Sequence, residues 1–432
     1  MMRKNVTRAL IVAIAALGLI ASACGGDDES SDKSTTTTEA SNSGGDRGNV
    51  DGQLKLGNLV PQTGDLNVIV KSLETPVAMA VKAINDAGGV NGKPVELVVA
   101  DDGTNPNVAA TSYAKLINTD KVDAIIGPAP SGVAAKMLNS FGTDKVPTCS
   151  GSTTAANLSG GGDGYFFRTA PGDDLQGPAL AALITGDKHE KVAILARNDD
   201  YGKGFSESLS KALESSGAQV TETVLYNPDA SNFDADVQKA LDSSPDAVVI
   251  LGFNDDGAKV VSTLIGKGAG PSQMPLYTAD GMKGSSFGKT VDPSDPSKVE
   301  GIRGTAPASA PQGVESPFTA EFAKTGIDTI FSSYYWDCTN LMALAAVKAK
   351  SDSGEAIAEN FAANLEGDND CNNFKDCKAL LEEGKSIHYR GASSAFEKWN
   401  KMEPGTGVYD VWAYTAEGKD ANVEGAAQIK IG

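Results

Sequence analysis

Histidine is almost missing from this chain, with two in 432 residues. Nucleophilic catalysis needs a base beside the attacking group. His189 lies in the polar approach GDKHEK and His388 in SIHYRG, and neither sits where a strand is expected to end. A nucleophile elbow is missing too: GASSA (391–395) fails its last position. GSSFGKT (284–290) has its glycines one residue too close for a phosphate loop, and SGGGDG (159–164) lacks the lysine. An enzyme is therefore not expected. Positive charge is also short, with 37 Lys and Arg against 56 Asp and Glu and a net charge of −19. That excludes nucleic acid, whose phosphates need a basic face, and disfavours an electrostatic membrane footprint. The five cysteines stand at no metal-ligand spacing from a histidine. No metal and no cofactor is expected.

Long apolar runs are absent as well. The run at 9–20 falls short of the ~20 residues that cross a bilayer. Arg3, Lys4 and Arg8 precede it and Ala21-Ser22-Ala23-Cys24-Gly25 follows, so 1–23 reads as a secretory signal. The small residues before Cys24 resemble the bacterial lipobox, with Ala21 where leucine is usual. That implies cleavage before Cys24, acylation of its sulfur and a lipid anchor on the extracytoplasmic face of the cytoplasmic membrane. An ordinary signal peptide cut nearby is the alternative. Residues 24–51 are Ser, Thr, Gly and acid, including four successive threonines, and should form a disordered tether reaching roughly 30 Å. In an exported chain, Cys371 and Cys377 are expected to form a local disulfide. Cys149 and Cys338 could form a second bridge or remain buried thiols.

What fills the rest is alternation. Strands are expected at 54–60, 95–100, 122–126 and 146–149, separated by helices marked by Val77, Ala80, Val81 and Ile84, by 108–117 and by 131–141. The pattern restarts after Gly172, with strands at 191–196, 219–226, 247–251 and 276–278 and helices at 202–215, 233–241 and around Val260–Ile265. A helix at 332–349 and a late strand at 408–414 follow. Short apolar strands between amphipathic helices imply parallel sheets covered on both faces. The expected fold is α/β, with two doubly wound parallel-sheet lobes.

Ligands of open parallel sheets bind beyond the C-terminal strand ends. Those ends carry Ser131, then Ser152, Thr153 and Thr154, then Tyr201, then Phe253 and Asn254, then Asp280. The first lobe offers hydroxyls and free N–H groups near a helix start, which suits an anion. The second offers aromatics and a carboxylate, which suits a cation beside an apolar group. Together they fit a zwitterion. Each residue has a plainer role available: Ser131 as a helix N-cap, Phe253 as core, Asp280 as a turn former. The argument rests on their joint occurrence at successive strand ends.

The stretches LGNLVPQTGDL (56–66), AVKAINDAGGVNGKPVELVVADDGTNP (80–106), DAIIGPAPSG (123–132), YFFRTAPGDDLQG (165–177), NDDYGKGF (198–205) and PDAVVILGF (245–253) resemble the substrate-binding proteins of ABC transporters, in the leucine/isoleucine/valine-binding branch. The resemblance implies a type I periplasmic-binding-protein fold with a three-crossover hinge near Gly172, Gly304 and Ala392. Lobe one would comprise 52–172 and 304–392, and lobe two 173–303 and 393–432. That places Cys149 and Cys338 in one lobe and favours their bridging. It also implies that Ser131, Ser152 (through its backbone) and Thr154 hold a carboxylate and Asp280 an ammonium. Asp280 stands where glutamate is familiar. Tyr201 would close over the ligand, with Phe253 or Asn254 at a second aromatic position and Leu66 lining the side-chain pocket. The implied function is capture of a branched-chain or other amino acid for an ABC permease and ATPase, by a monomer. A sensor subunit reporting to a separate receptor, or a binder of urea, an amide or a small carboxylate, is the alternative.

Overall fold

The computed structural model describes residues 50–400 and 402–432. The signal, Cys24 and nearly all of the tether lie outside the described residues. Strands β1 (Lys55–Val60), β2 (Glu96–Asp101), β3 (Ala124–Ile126), β4 (Thr148–Ser150) and β5 (Phe166–Arg168) form one sheet in the order β2-β1-β3-β4-β5, every pair parallel. Helices α1 (Val70–Asp86), α2 (Pro106–Lys115) and α3 (Ser131–Thr143) connect them. Successive side chains of a strand point to opposite faces. Leu56 and Val60 of β1 accordingly join one apolar cluster with Leu73 and Val77 of α1, while Leu59 joins another with Tyr113 of α2 and Met137 and Phe141 of α3.

The second sheet holds β6 (Lys191–Arg197), β7 (Gln219–Tyr226), β8 (Ala247–Leu251), β9 (Leu276–Thr278) and β10 (Arg303–Pro307), all parallel to their neighbours, in the order β10-β9-β8-β6-β7. Helices α4 (Asp173–Gly186), α5 (Asp200–Ser215), α6 (Asp234–Asp242), α7 (Asn254–Gly266) and α8 (Phe287–Val291) belong with it. β8 reads AVVIL and is wholly buried, as a central parallel strand covered on both faces must be.

The chain then returns. Helices α9 (Pro317–Ala323), α10 (Ser332–Ala349), α11 (Gly354–Phe361) and α12 (Phe374–Glu382) follow, along with a small parallel pair, β11 (Asn369–Cys371) and β12 (Ile387–Tyr389). α10 packs on α1 and on β4. A disulfide joins Cys149 of β4 to Cys338 of α10, with Cα atoms 5.6 Å apart, and another joins Cys371 to Cys377. After the short pair β13 (Trp399–Asn400) and β14 (Glu403–Pro404), strand β15 (Gly407–Tyr414) adds antiparallel to β10. β16 (Asp420–Asn422) and β17 (Ile429–Ile431) pair with β15.

Three crossovers thus join two α/β lobes, but two of them lie later than expected. β10 pairs with β9 through Gly304, so the second crossover follows Pro307. The third lies between Pro404 and Gly407 rather than at Ala392. The Arg168 backbone N–H donates to Met402 O at 3.0 Å, and the Arg168 side chain pairs with Glu403, so 393–404 stay beside β5.

Candidate functional site

The C-terminal ends of both sheets face one another across a buried cleft lined by Leu66, Ser131, Ser152, Thr154, Tyr201, Phe253 and Asp280. Ile69 and Phe331, which sequence reasoning missed, line it too. Thr153 and Asn254 do not. The Thr153 side chain is buried behind the wall, and the Asn254 amide donates to Thr290 Oγ1 at 3.2 Å. The cavity is about 20 Å3, which holds about one water.

The wall from the first lobe is built on the turn after β3. Gly127 has φ 116°, and a Cβ there would fall 2.0 Å from Leu59 O, so only glycine lets the chain turn so close to β1. Ser131 is the first residue of α3 but does not cap it. Its Oγ instead accepts from the Thr154 and Ala155 N–H groups at 3.1 and 3.2 Å, tying the loop after β4 to the helix start. Ser152 Oγ donates to Ala129 O and lies 3.0 Å from the Tyr335 hydroxyl. Thr154 Oγ1 is buried and has no hydrogen-bond partner among the described residues.

Two buried side chains, Asp102 and Arg168, hold this wall from behind. Asp102 accepts from the Ala129 N–H at 3.0 Å, and burial lifts its pKa to about 7. Arg168 donates through Nη1 to Thr153 O (3.3 Å) and Ala155 O (2.9 Å), and through Nε and Nη2 to Glu403.

The second lobe supplies rings and an acid. Asp199 caps α5 by accepting from the Gly202 N–H, which sets Tyr201 in the first turn, facing inward. The Tyr201 and Phe253 rings stack with centroids 5.4 Å apart. The Tyr201 hydroxyl donates to Asp280 Oδ1 at 3.3 Å and accepts from the Gly281 N–H. Among the described residues, no Lys, Arg or His lines the cleft. Burial raises Asp280 to about 6, with the Tyr201 hydroxyl pulling the other way. An acid held in a buried cleft without a cationic partner suits a ligand that brings the positive charge with it.

Known proteins bear on this arrangement. The periplasmic binding protein family matches residues 53–375. The chain belongs to that family. A chemotactic signal transduction substrate-binding protein, BasB of Halobacterium salinarum, is 26% identical over 394 residues, covering 87% of this chain and 90% of that one. A Leu/Ile/Val-binding protein homolog of Brucella suis is 24% identical over 361 residues, covering 83% and 90%. The crystal structure of a leucine binding protein, LivK of Thermotoga maritima, superposes with a TM-score of 0.72 at 21% identity, covering 87% of this chain and 98% of that one. That likeness concerns the fold.

In this periplasmic binding protein the two lobes touch around the cleft. Arg197, at the end of β6, stacks 3.6 Å over the Phe253 ring and pairs with Asp256 (2.9 Å) and Asp199 (2.6 Å). It reaches across to Asp65 of the first lobe at 3.8 Å. Asn157 Nδ2 donates to Asp200 Oδ1 at 2.8 Å, and Ser285 Oγ to Asp328 Oδ2 at 2.8 Å. Both histidines lie elsewhere. His189 approaches Asp246 at 3.7 Å, and His388 Nε2 lies 2.9 Å from Ala395 O.

Proposed function

We propose that this chain is an extracytoplasmic solute-binding lipoprotein of an ABC importer that captures an amino acid between closing lobes. One observation carries the reading: a wall of hydroxyls and a buried carboxylate without a cationic partner share a single cleft, with rings and aliphatic side chains beside them. The solute's carboxylate docks on Ser131, Thr154 and the backbone around Ser152. Its ammonium meets Asp280. Its side chain lies among Leu66, Ile69, Phe253 and Phe331, and Tyr201 covers it. The cavity is small, so the lobes must part to admit a solute and close again around it. Closure withdraws an ammonium and a carboxylate from water together, which is tolerable because each meets a partner. Recognition of the loaded, closed shape by a permease leaves ATP hydrolysis to another subunit. The likeness to a Leu/Ile/Val-binding protein supports an aliphatic amino acid.

Calorimetric titration with amino acids and with their des-amino carboxylates tests this. Binding of an amino acid but not of its des-amino analogue supports it, whereas equal binding of both refutes the role of Asp280. The likeness to BasB favours a second reading, in which the same closure reports to a separate receptor. Which membrane protein the loaded chain captures separates the two. Lipidation at Cys24 is part of the proposal and is tested by the mass of the mature N-terminus.

A further inference from the structure

Asp173 opens α4, has no exposed surface and lies near enough to Asp280 to feel its charge. Its backbone N–H donates to Thr154 O at 2.7 Å, which sets it against the loop that carries the Thr154 hydroxyl into the cleft. Neither of its carboxyl oxygens nor the Thr154 Oγ1 makes a hydrogen bond of normal geometry among the described residues, although the Thr154 hydroxyl lies close enough to favour the charged form against burial. One turn along α4, the Gln176 Oε1 is in the same condition, although its Nε2 donates to Thr305 O at 3.0 Å. An ionised carboxylate with no well-placed donor on either oxygen is among the costliest groups a protein interior can hold.

The titratable and charged neighbours of Asp173 are Asp280, Arg168, Asp174, Tyr201 and Tyr409. Arg168 is the cation among them, and it is committed to Glu403, Thr153 and Ala155. Burial first, and then the charge of Asp280, push Asp173 well above the carboxylate range, whereas Asp280 rises only to about 6. Two buried acids that feel each other's charge do not both ionise at neutral pH, and Asp280, which lines the cleft and accepts from the Tyr201 hydroxyl, is the one placed to carry it.

We propose that Asp173 is a positioning residue for the cation end of the cleft: a neutral, proton-bearing acid near Thr154 and Asp280 that limits that end to a single negative charge. The chemistry this selects is a monocation such as one ammonium. A dication would find only one counter-charge. The inference rests on the reading of Asp280 as the counter-ion, but its test needs no solute.

Thermal unfolding of the wild-type chain and Asp173→Asn from about pH 4 to about pH 8 is the measurement. A carboxyl whose folded pKa is raised stabilises fully below its unfolded pKa and loses that contribution as pH rises. The melting temperature of Asp173→Asn should therefore climb relative to wild type by a few degrees as pH rises across that range. A difference that stays flat with pH overturns the proposal. If Asp173→Asn does not fold, the infrared band of protonated carboxyl groups in wild type and Asp280→Asn decides. With the charge of Asp280 removed, a component of the band must disappear at lower pH than in wild type. Unchanged titration overturns the proposal. If either titration succeeds while no amino acid binds, only the solute reading fails. If the titrations fail while an amino acid binds, only the role of Asp173 fails.

Discussion

Arg168→Met probes how the cleft wall is held. Arg168 is 1% exposed and its partner Glu403 is 8% exposed. Removing one member of a buried ion pair costs about 3–5 kcal/mol, because the remaining charge stays buried without its partner. The substitution also strips the guanidinium from Thr153 O and Ala155 O, at roughly 1 kcal/mol or more for each orphaned acceptor. Ser159 Oγ still donates to Glu403 and offsets part of the loss. The expected total is about 4 kcal/mol, read as a fall in the urea midpoint at unchanged slope. Arg168→Met/Glu403→Gln removes the stranded charge and should recover about 2 kcal/mol, leaving the orphaned carbonyls as the residue of the damage. Solute affinity should remain weakened in the double variant, because the loop that carries Thr154 is still unclamped. A single variant costing under about 1 kcal/mol, or a double variant no better than the single, would refute the reasoning.

Other expectations follow from the same geometry. Replacing Cys149 and Cys338 by alanine opens a loop of 189 residues and should cost up to about 5 kcal/mol, against about 2 kcal/mol for Cys371 and Cys377, which are six apart; denaturant titration of both double variants should preserve that ranking. Asp65→Asn removes a half-exposed contact between the lobes, so stability should change by under about 1 kcal/mol while solute release speeds up several-fold in stopped flow. Asp337 accepts from the Ala392 and Ser393 N–H groups and from the Tyr389 and Ser393 hydroxyls, yet burial raises it to about 6. Its contribution is complete below its unfolded value and is lost as pH rises through about 6, by up to about 3 kcal/mol, so the stability deficit of Asp337→Asn should narrow from about pH 3 to about pH 7 and stay level above that.

The strand-end residues were legible because a parallel sheet delivers all of its C-terminal ends to one edge. Ser131, Thr154, Tyr201, Phe253 and Asp280 each follow a strand whose apolar run stands out, and the fold brings all five to one cleft. β5 and β10 were not legible, since three residues ending in a buried arginine and a five-residue strand with a central threonine carry no apolar run. Phe331 was hidden for another reason. It sits at φ 59° before α10, at the end of an irregular loop without periodicity. Phe253 and Asn254 are adjacent, and only the start of α7 decides that the ring faces the cleft while the amide turns to Thr290. Asp173 lay in a stretch already noted for its resemblance, but nothing local marks it as the acid near Asp280. The third crossover depends on a contact between residues 235 apart, Arg168 and Glu403, which no local pattern encodes.

Native mass spectrometry of the chain purified from its source without denaturation, beside Ser131→Ala and Asp280→Ala prepared in the same way, tests capture of a zwitterion most directly. The account predicts one small bound molecule carrying both an ammonium and a carboxylate, retained by the wild type and lost from Asp280→Ala. A bound molecule lacking either group, or one held equally by all three proteins, would contradict it.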